Sequence, residues 1–113
     1  MKKDVMQKWV KALRSGKYKQ ATEQLKDGNS YCCLGVLCDI SKQGKWYGAG
    51  YEVNEEFDDA KLPVAIRKWA GIKVRSANGN IPSVKKSLVH FNDTAKKNFK
   101  EIADIIEKNY KEL

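Results

Sequence analysis

The sequence is poor in the residue types that most often announce chemistry. It carries one histidine, His90, and two prolines. A lone imidazole excludes a histidine-rich metal site, and no nearby residue marks a partner for general-base work. Three cysteines is an odd number, and all three, Cys32, Cys33 and Cys38, fall in one short stretch. A disulfide inside that stretch would be strained, because the bond needs a specific Cβ geometry. There is no C-x-x-C pair and no second cluster to complete a four-ligand zinc site. Buried reduced thiols are the expectation, and they point to a reducing cytosol. Cys32 lies nearest the preceding turn and is the thiol for which exposure and reactivity stay open. The Gly48-x-Gly50 pair lacks the lysine and the strand–turn–helix setting of a phosphate loop, and no G-x-S-x-G elbow occurs. No apolar run approaches the roughly 20 residues that cross a bilayer. Met1-Lys2-Lys3-Asp4 leads into an amphipathic pattern, not a signal peptide. The expectations are no metal, no cofactor, no catalytic residue, no membrane contact and a cytoplasmic location.

What the chain does have is one greasy segment, Tyr31 to Ile40, in a sequence otherwise full of lysine. Read as a helix over about 31–42, it is apolar on nearly every face, as helices buried by several neighbours are. Gly35 costs that helix roughly 1 kcal/mol relative to alanine; a tight helix–helix crossing would explain it, as would a break just before residue 36. Around this element the spacing predicts a helix over 4–14 with Trp9 and Leu13 inward and Asp4 capping. A short helical segment over 18–25 follows. Further helices fall at 62–70, with Ile66 and Trp69 inward, at 83–92, with Leu88 and Phe91 inward, and at 98–109, with Phe99, Ile102 and Ile106 inward. Cys33 and Leu37 complete the candidate core. Residues 45–59 read as a long connection with a strand or hairpin near 46–53, pinned by Phe57. Ile72 to Arg75 alternates like a strand before Asn78-Gly79. The fold class expected is mostly α with minor β: a compact four- to five-helix single domain over 1–113, with a short β-hairpin near 72–82.

Charge is the best functional lead. Lys plus Arg is 22 against 14 for Asp plus Glu, a net charge of +8, which favours acidic partners. One basic face comprises Lys8, Lys11, Arg14, Lys17 and Lys19; a second comprises Lys61, Arg67, Lys68, Lys73, Arg75, Lys85 and Lys86. Such faces can contact phosphates without reading bases, or can simply be solvated. The helices at 83–92 and 98–109 invite a helix-turn-helix reading, but the mixed charge of the second suits a major groove poorly. The acidic residues Glu52, Glu55, Glu56, Asp58 and Asp59 match no calcium loop. A solvated loop is the plain reading; metal-dependent activity there is the enzymatic alternative to a non-enzymatic protein.

Two strings are distinctive: Trp9-Val10-x-Ala12-Leu13-Arg14-Ser15-Gly16-x-Tyr18-x-Gln20, and Tyr31 through Asp39 with its double cysteine. With Leu88, Asn92-Asp93 and Phe99-x-Glu101-Ile102-Ala103-Asp104, they resemble a family of small proteins encoded by tailed bacteriophages, over almost the full chain. That resemblance implies an accessory protein of the host cytoplasm. It would bind a host or phage protein or nucleoprotein, and countering a bacterial defence system is one such role. A nucleic-acid-binding module using the lysine-rich faces is the alternative. The turn at Thr94 to Asn98 departs from the family pattern, being basic and without glycine. The polar groups of Arg14, Tyr18 and Gln20 suggest a brace against the Asp39 end of the core helix, with an Arg14–Asp39 ion pair at its centre.

Overall fold

The computed structural model describes residues 1–113. The greasy segment forms helix α2, Cys33–Ser41, whose residues Cys33 to Cys38 are all buried. It starts where Cys32 turns extended and its Sγ accepts from the Gly35 N–H, and it stops at Lys42 in the left-handed region. Helices α1 (Lys3–Arg14), α3 (Val64–Ala70) and α4 (Leu88–Asp93) pack around it, and α5 (Phe99–Asn109) lies along α1. The Trp9 indole N–H donates to the Cys33 carbonyl at 2.9 Å, fastening α1 to the first turn of α2. Full burial of each Leu or Ile in this core contributes roughly 1.5–3 kcal/mol, and the three cysteines lie buried among them as free thiols.

The expectation of a mostly α fold is overturned. Helix accounts for 45% of residues and strand for 18%, in five helices and three small sheets, so the domain is α+β. The segment 18–25 is not helical. It contributes β1 (Lys19–Gln20) and leads into β2 (Lys26–Asp27), and both flank β3 (Ser30–Tyr31), β1 parallel and β2 antiparallel. Helical spacing of Tyr18, Ala21 and Leu25 there reflects a crossing loop that drops each residue inward in turn. The connection at 45–59 is a full antiparallel meander: β4 (Lys45–Tyr47), β5 (Gly50–Val53) and β6 (Glu56–Asp58). Its inner face holds Trp46, Tyr51 and Val53. Phe57 does not pin it to the core; it lies on the outer face above Gly50, half exposed, and buried Tyr51 does the pinning.

The ribbon near 72–82 is displaced along the chain. Residues Val74–Ser76 form a 3-10 turn, and the strands are β7 (Asn80–Ile81) and β8 (Lys86–Ser87). Pro82 ends β7, and the reversal is made by residues 82–85, with Lys85 in the left-handed region (φ 58°). The proposed helix 83–92 is therefore only its last part, α4, capped by Ser87 Oγ. That removes the helix-turn-helix reading, since α4 has six residues. Helix α5 begins with a capping box between Asn98 and Glu101, while Asp4 is not a cap, α1 starting one residue earlier. Of the expected core, Trp9, Leu13, Cys33, Leu37, Ile66, Leu88, Phe99, Ile102 and Ile106 are buried. Trp69 and Phe91 are only half-buried, packed against its margin.

Gly35 is explained by neither option weighed above. Its Cα lies against backbone, and an added Cβ would collide with the carbonyl of Leu25. The element crossing α2 at this point is the loop before β2, not a helix.

Candidate functional site: two basic grooves and a polar pocket

The structure sorts the basic residues by what they already hold. Arg14 is committed. Its guanidinium reaches Asp104 at 2.6 Å and Glu107 at 3.2 Å on α5, and those hydrogen bonds, Glu107 first, raise its pKa. The expected Arg14–Asp39 pair does not form. Asp39 instead accepts from the Tyr18 hydroxyl at 2.5 Å and from the Trp46 indole at 3.0 Å. This ties the loop after α1 and the meander to the end of α2. Burial first, and the Asp39 hydrogen bond second, push the Tyr18 phenol up. Lys73 is also occupied, donating to the carbonyls of Lys111 and Leu113, and Arg75 reaches the carbonyl of Glu112. Arg67 and Lys68 sit in the last turn of α3, beside the carbonyls that cation charge favours. Lys19 stands exposed on β1. The second basic face is thus not one surface with a single role.

Of the cations without an ion pair, two sets line grooves. Lys8, Lys11 and Lys17 make no ion pair, the only pairs being Arg14 with Asp104 and Glu107 and Lys97 with Glu101. They rim a shallow groove of about 340 Å³ whose floor is Ala12, Tyr18 and Ile40. Lys8 and Ala12 lie one turn apart on α1 with the C-cap Ser15 one turn further, and the Tyr18 hydroxyl is anchored on Asp39. Lys85 and Lys86, also unpaired, line an open groove of about 480 Å³ with Ser87, Asn80 and His90. Sequence reasoning set His90 aside, yet here its half-buried ring meets Phe91 edge-on and lines a lysine-bearing groove.

A third concavity, of about 200 Å³ and more enclosed, was not legible at all. Glu23, Asn78, Asn92, Asp93 and Cys32 converge on it from four separate chain segments. Buried Asn92 is its anchor. Asn92 Nδ2 donates to the Ala21 carbonyl at 2.8 Å and to Asp93 at 2.7 Å, while Oδ1 accepts from Gln20 at 2.9 Å and from the Cys33 N–H at 3.3 Å. The thiols are poor nucleophiles. Burial pushes Cys32 up to about 11 and Cys33 and Cys38 up as well. Cys32 is buried, which answers the question left open for it.

The acidic segment does not converge on an ion. Glu56 accepts from the Val64 N–H at 2.7 Å, opening α3, and Asp58 accepts from the N–H groups of Ala60 and Lys61. No three His, Cys, Asp or Glu side chains in the protein gather as a metal ion would require. No helix is long and apolar enough to cross a membrane.

No protein of curated function and no solved structure matches the chain. Residues 1–110 match a family described as a domain of unknown function, DUF8296. With nearly its whole length inside that match, the chain belongs to the DUF8296 family.

Proposed function

We propose that this is a non-catalytic binding protein that docks an acidic segment of a partner protein in the groove of Lys8, Lys11 and Lys17. One observation carries the reading: three lysines that make no ion pair line one groove together with Ala12, Tyr18 and Ile40. A ligand that buries one apolar side chain there and sets carboxylates against the rim satisfies both parts, and the rim charges speed encounter. Taken with the resemblance to tailed-phage proteins, the partner is a host or phage macromolecule in the host cytoplasm, a defence protein being one target of that kind.

The test is a pull-down from infected cells, read by mass spectrometry with and without nuclease, using the wild type and a Lys8→Glu/Lys11→Glu/Lys17→Glu variant. The expected result is a nuclease-resistant partner that the variant loses while its thermal melt is unchanged. A partner still held by the variant refutes the groove. Capture abolished by nuclease, with binding that falls steeply in salt through counterion release, replaces the reading with nucleic-acid binding.

A further inference from the structure

The solvent face of the β4–β5–β6 meander is apolar where a solvated sheet would be polar. Lys45 lies opposite Glu52, Glu52 opposite Phe57, and Tyr47 opposite Gly50, and side chains opposite one another share a face. Tyr47 and Phe57 are 55% and 52% exposed, the only aromatics among the large apolar side chains left in solvent. Both border Gly50. That glycine has no positive φ to accommodate, and an added Cβ would strike the Phe57 ring. The strand does not need glycine there; its absence of a side chain lets the ring lie over bare backbone.

Charge sets the same face apart. Residues 52–59 carry five carboxylates and no cation, in a chain of net charge +8. Glu56 and Asp58 are spent on backbone N–H groups. Glu52 and Glu55 are exposed and make no ion pair. The groove of Lys8, Lys11 and Lys17 offers the converse, three cations beside Ala12, Tyr18 and Ile40. The two surfaces are neighbours, because Tyr18 from the groove and Trp46 from β4 donate to the same carboxylate, Asp39.

Complementary patches side by side on one molecule can both be used at once across a twofold axis, each contact being made twice. We propose that two copies of this chain form such a reciprocal dimer, the aromatic, acidic meander face of each seated in the lysine groove of the other. This rests on the groove being a site for an acidic segment, and it names the segment that fills it in the free protein. An outside partner then has to displace a second copy. Exposed ion pairs contribute little singly, so most of the affinity falls to Phe57 and Tyr47, and the charges fix which faces meet. At about 0.15 M salt the screening length of about 8 Å hides the overall repulsion of two basic chains better than it hides charges in contact.

Sedimentation velocity of the intact protein at that salt concentration tests the dimer. The mass should rise from the monomer's 12.9 kDa towards twice that value as the protein is concentrated to about 500 µM, a range suited to a small interface. Phe57→Ser should weaken association about tenfold or more. Gly50→Ala, which displaces the ring, should weaken it severalfold, with thermal melts unchanged in both. Charge reversal on the meander (Glu52→Lys/Glu55→Lys) and in the groove (Lys8→Glu/Lys11→Glu/Lys17→Glu) should each give a monomer. An equimolar mixture of the two should pair again, since both contacts then join opposite signs. From +8, the first variant gains four charges and the second loses six, so both stay positive and net charge cannot drive that pairing. The proposal fails if the wild type stays monomeric throughout, if either reversal leaves the dimer intact, if the mixture does not pair, or if assemblies larger than a dimer form. A monomeric wild type whose groove variant still loses its partner in the pull-down removes the dimer and leaves the groove reading standing. A meander variant that loses that partner assigns the face to a basic surface of the partner in place of a second copy.

Discussion

Replacing Gly35 by alanine sets two known effects against each other. In an ordinary helix interior the change stabilises by roughly 1 kcal/mol. Here the new methyl group meets the Leu25 carbonyl, and Leu25 has little freedom to retreat. Its N–H donates to the Asp59 carbonyl at 2.7 Å, its carbonyl accepts from the Cys32 N–H at 3.1 Å, and its side chain is wholly buried. Overpacking costs about 1–3 kcal/mol and sometimes more, and a shifted Leu25 gives up at least one backbone hydrogen bond, about 1 kcal/mol. The overlap is with backbone, which cannot change rotamer, so the upper end applies. After subtracting the helix gain, Gly35→Ala should destabilise the fold by about 3 kcal/mol. Urea unfolding followed by far-UV circular dichroism measures it, with an unchanged m-value as the sign that the same two states are compared. An alanine variant as stable as wild type, or more so, refutes the claim that Leu25 is fixed against α2.

The remaining predictions concern single side chains. Asp39→Ala leaves the Tyr18 hydroxyl and Trp46 indole without their acceptor, so it should cost about 2–3 kcal/mol; Tyr18→Phe in the Asp39→Ala background should then add almost nothing, and an additive loss would show that the two do not act together. Arg14→Ala should cost only about 0.5 kcal/mol, and less in 1 M salt, because Asp104 and Glu107 are 73% and 55% exposed; a loss above about 2 kcal/mol in urea titration would return Arg14 to a structural role. Burial raises all three thiols above the ordinary thiol value of 9.0. Their contribution is therefore complete below about pH 9 and is lost as pH rises, for Cys32 through about 11. Stability should fall over that range, and a Cys32→Ala variant should lose part of the slope. A thiol reagent at pH 8 should label none of the three until the protein unfolds, and rapid labelling of the native state would contradict their burial.

Helix periodicity located the core because a buried face repeats every three or four residues, and α1, α3 and α5 each obey it, while α2 showed itself as a run apolar on nearly every face. Trp9, Leu13, Ile66, Ile102 and Ile106 were all readable for that reason. The strands were not, because β1, β2, β3, β7 and β8 each have only two residues. Two residues carry no alternation, and those strands exist through pairing with distant partners, such as Lys19 with Ser30. The meander was half visible, since Trp46, Tyr47 and Tyr51 were in place, but their faces depend on register. Trp46 pairs with Tyr51 on the inner face, and Tyr47 pairs with Gly50 on the outer. Charge by itself could not separate free lysines from committed arginines. Arg14 and Arg75 answer to residues about 90 and 37 positions away, a separation that no local pattern records.

The residues that carried the resemblance to phage proteins meet in space, and this decides how they are read. Gln20 from the first string and Cys33 from the second are joined by hydrogen bonds through the side chain of Asn92, which accompanies them in the resemblance. A buried amide with all its groups used has nothing left for a substrate, and removing it would leave several buried partners unsatisfied. The shared strings therefore describe a fastening point, where β1, α2 and α4 are locked together. The strings thus share a structural role at Asn92, one that its hydrogen bonds account for without any ligand.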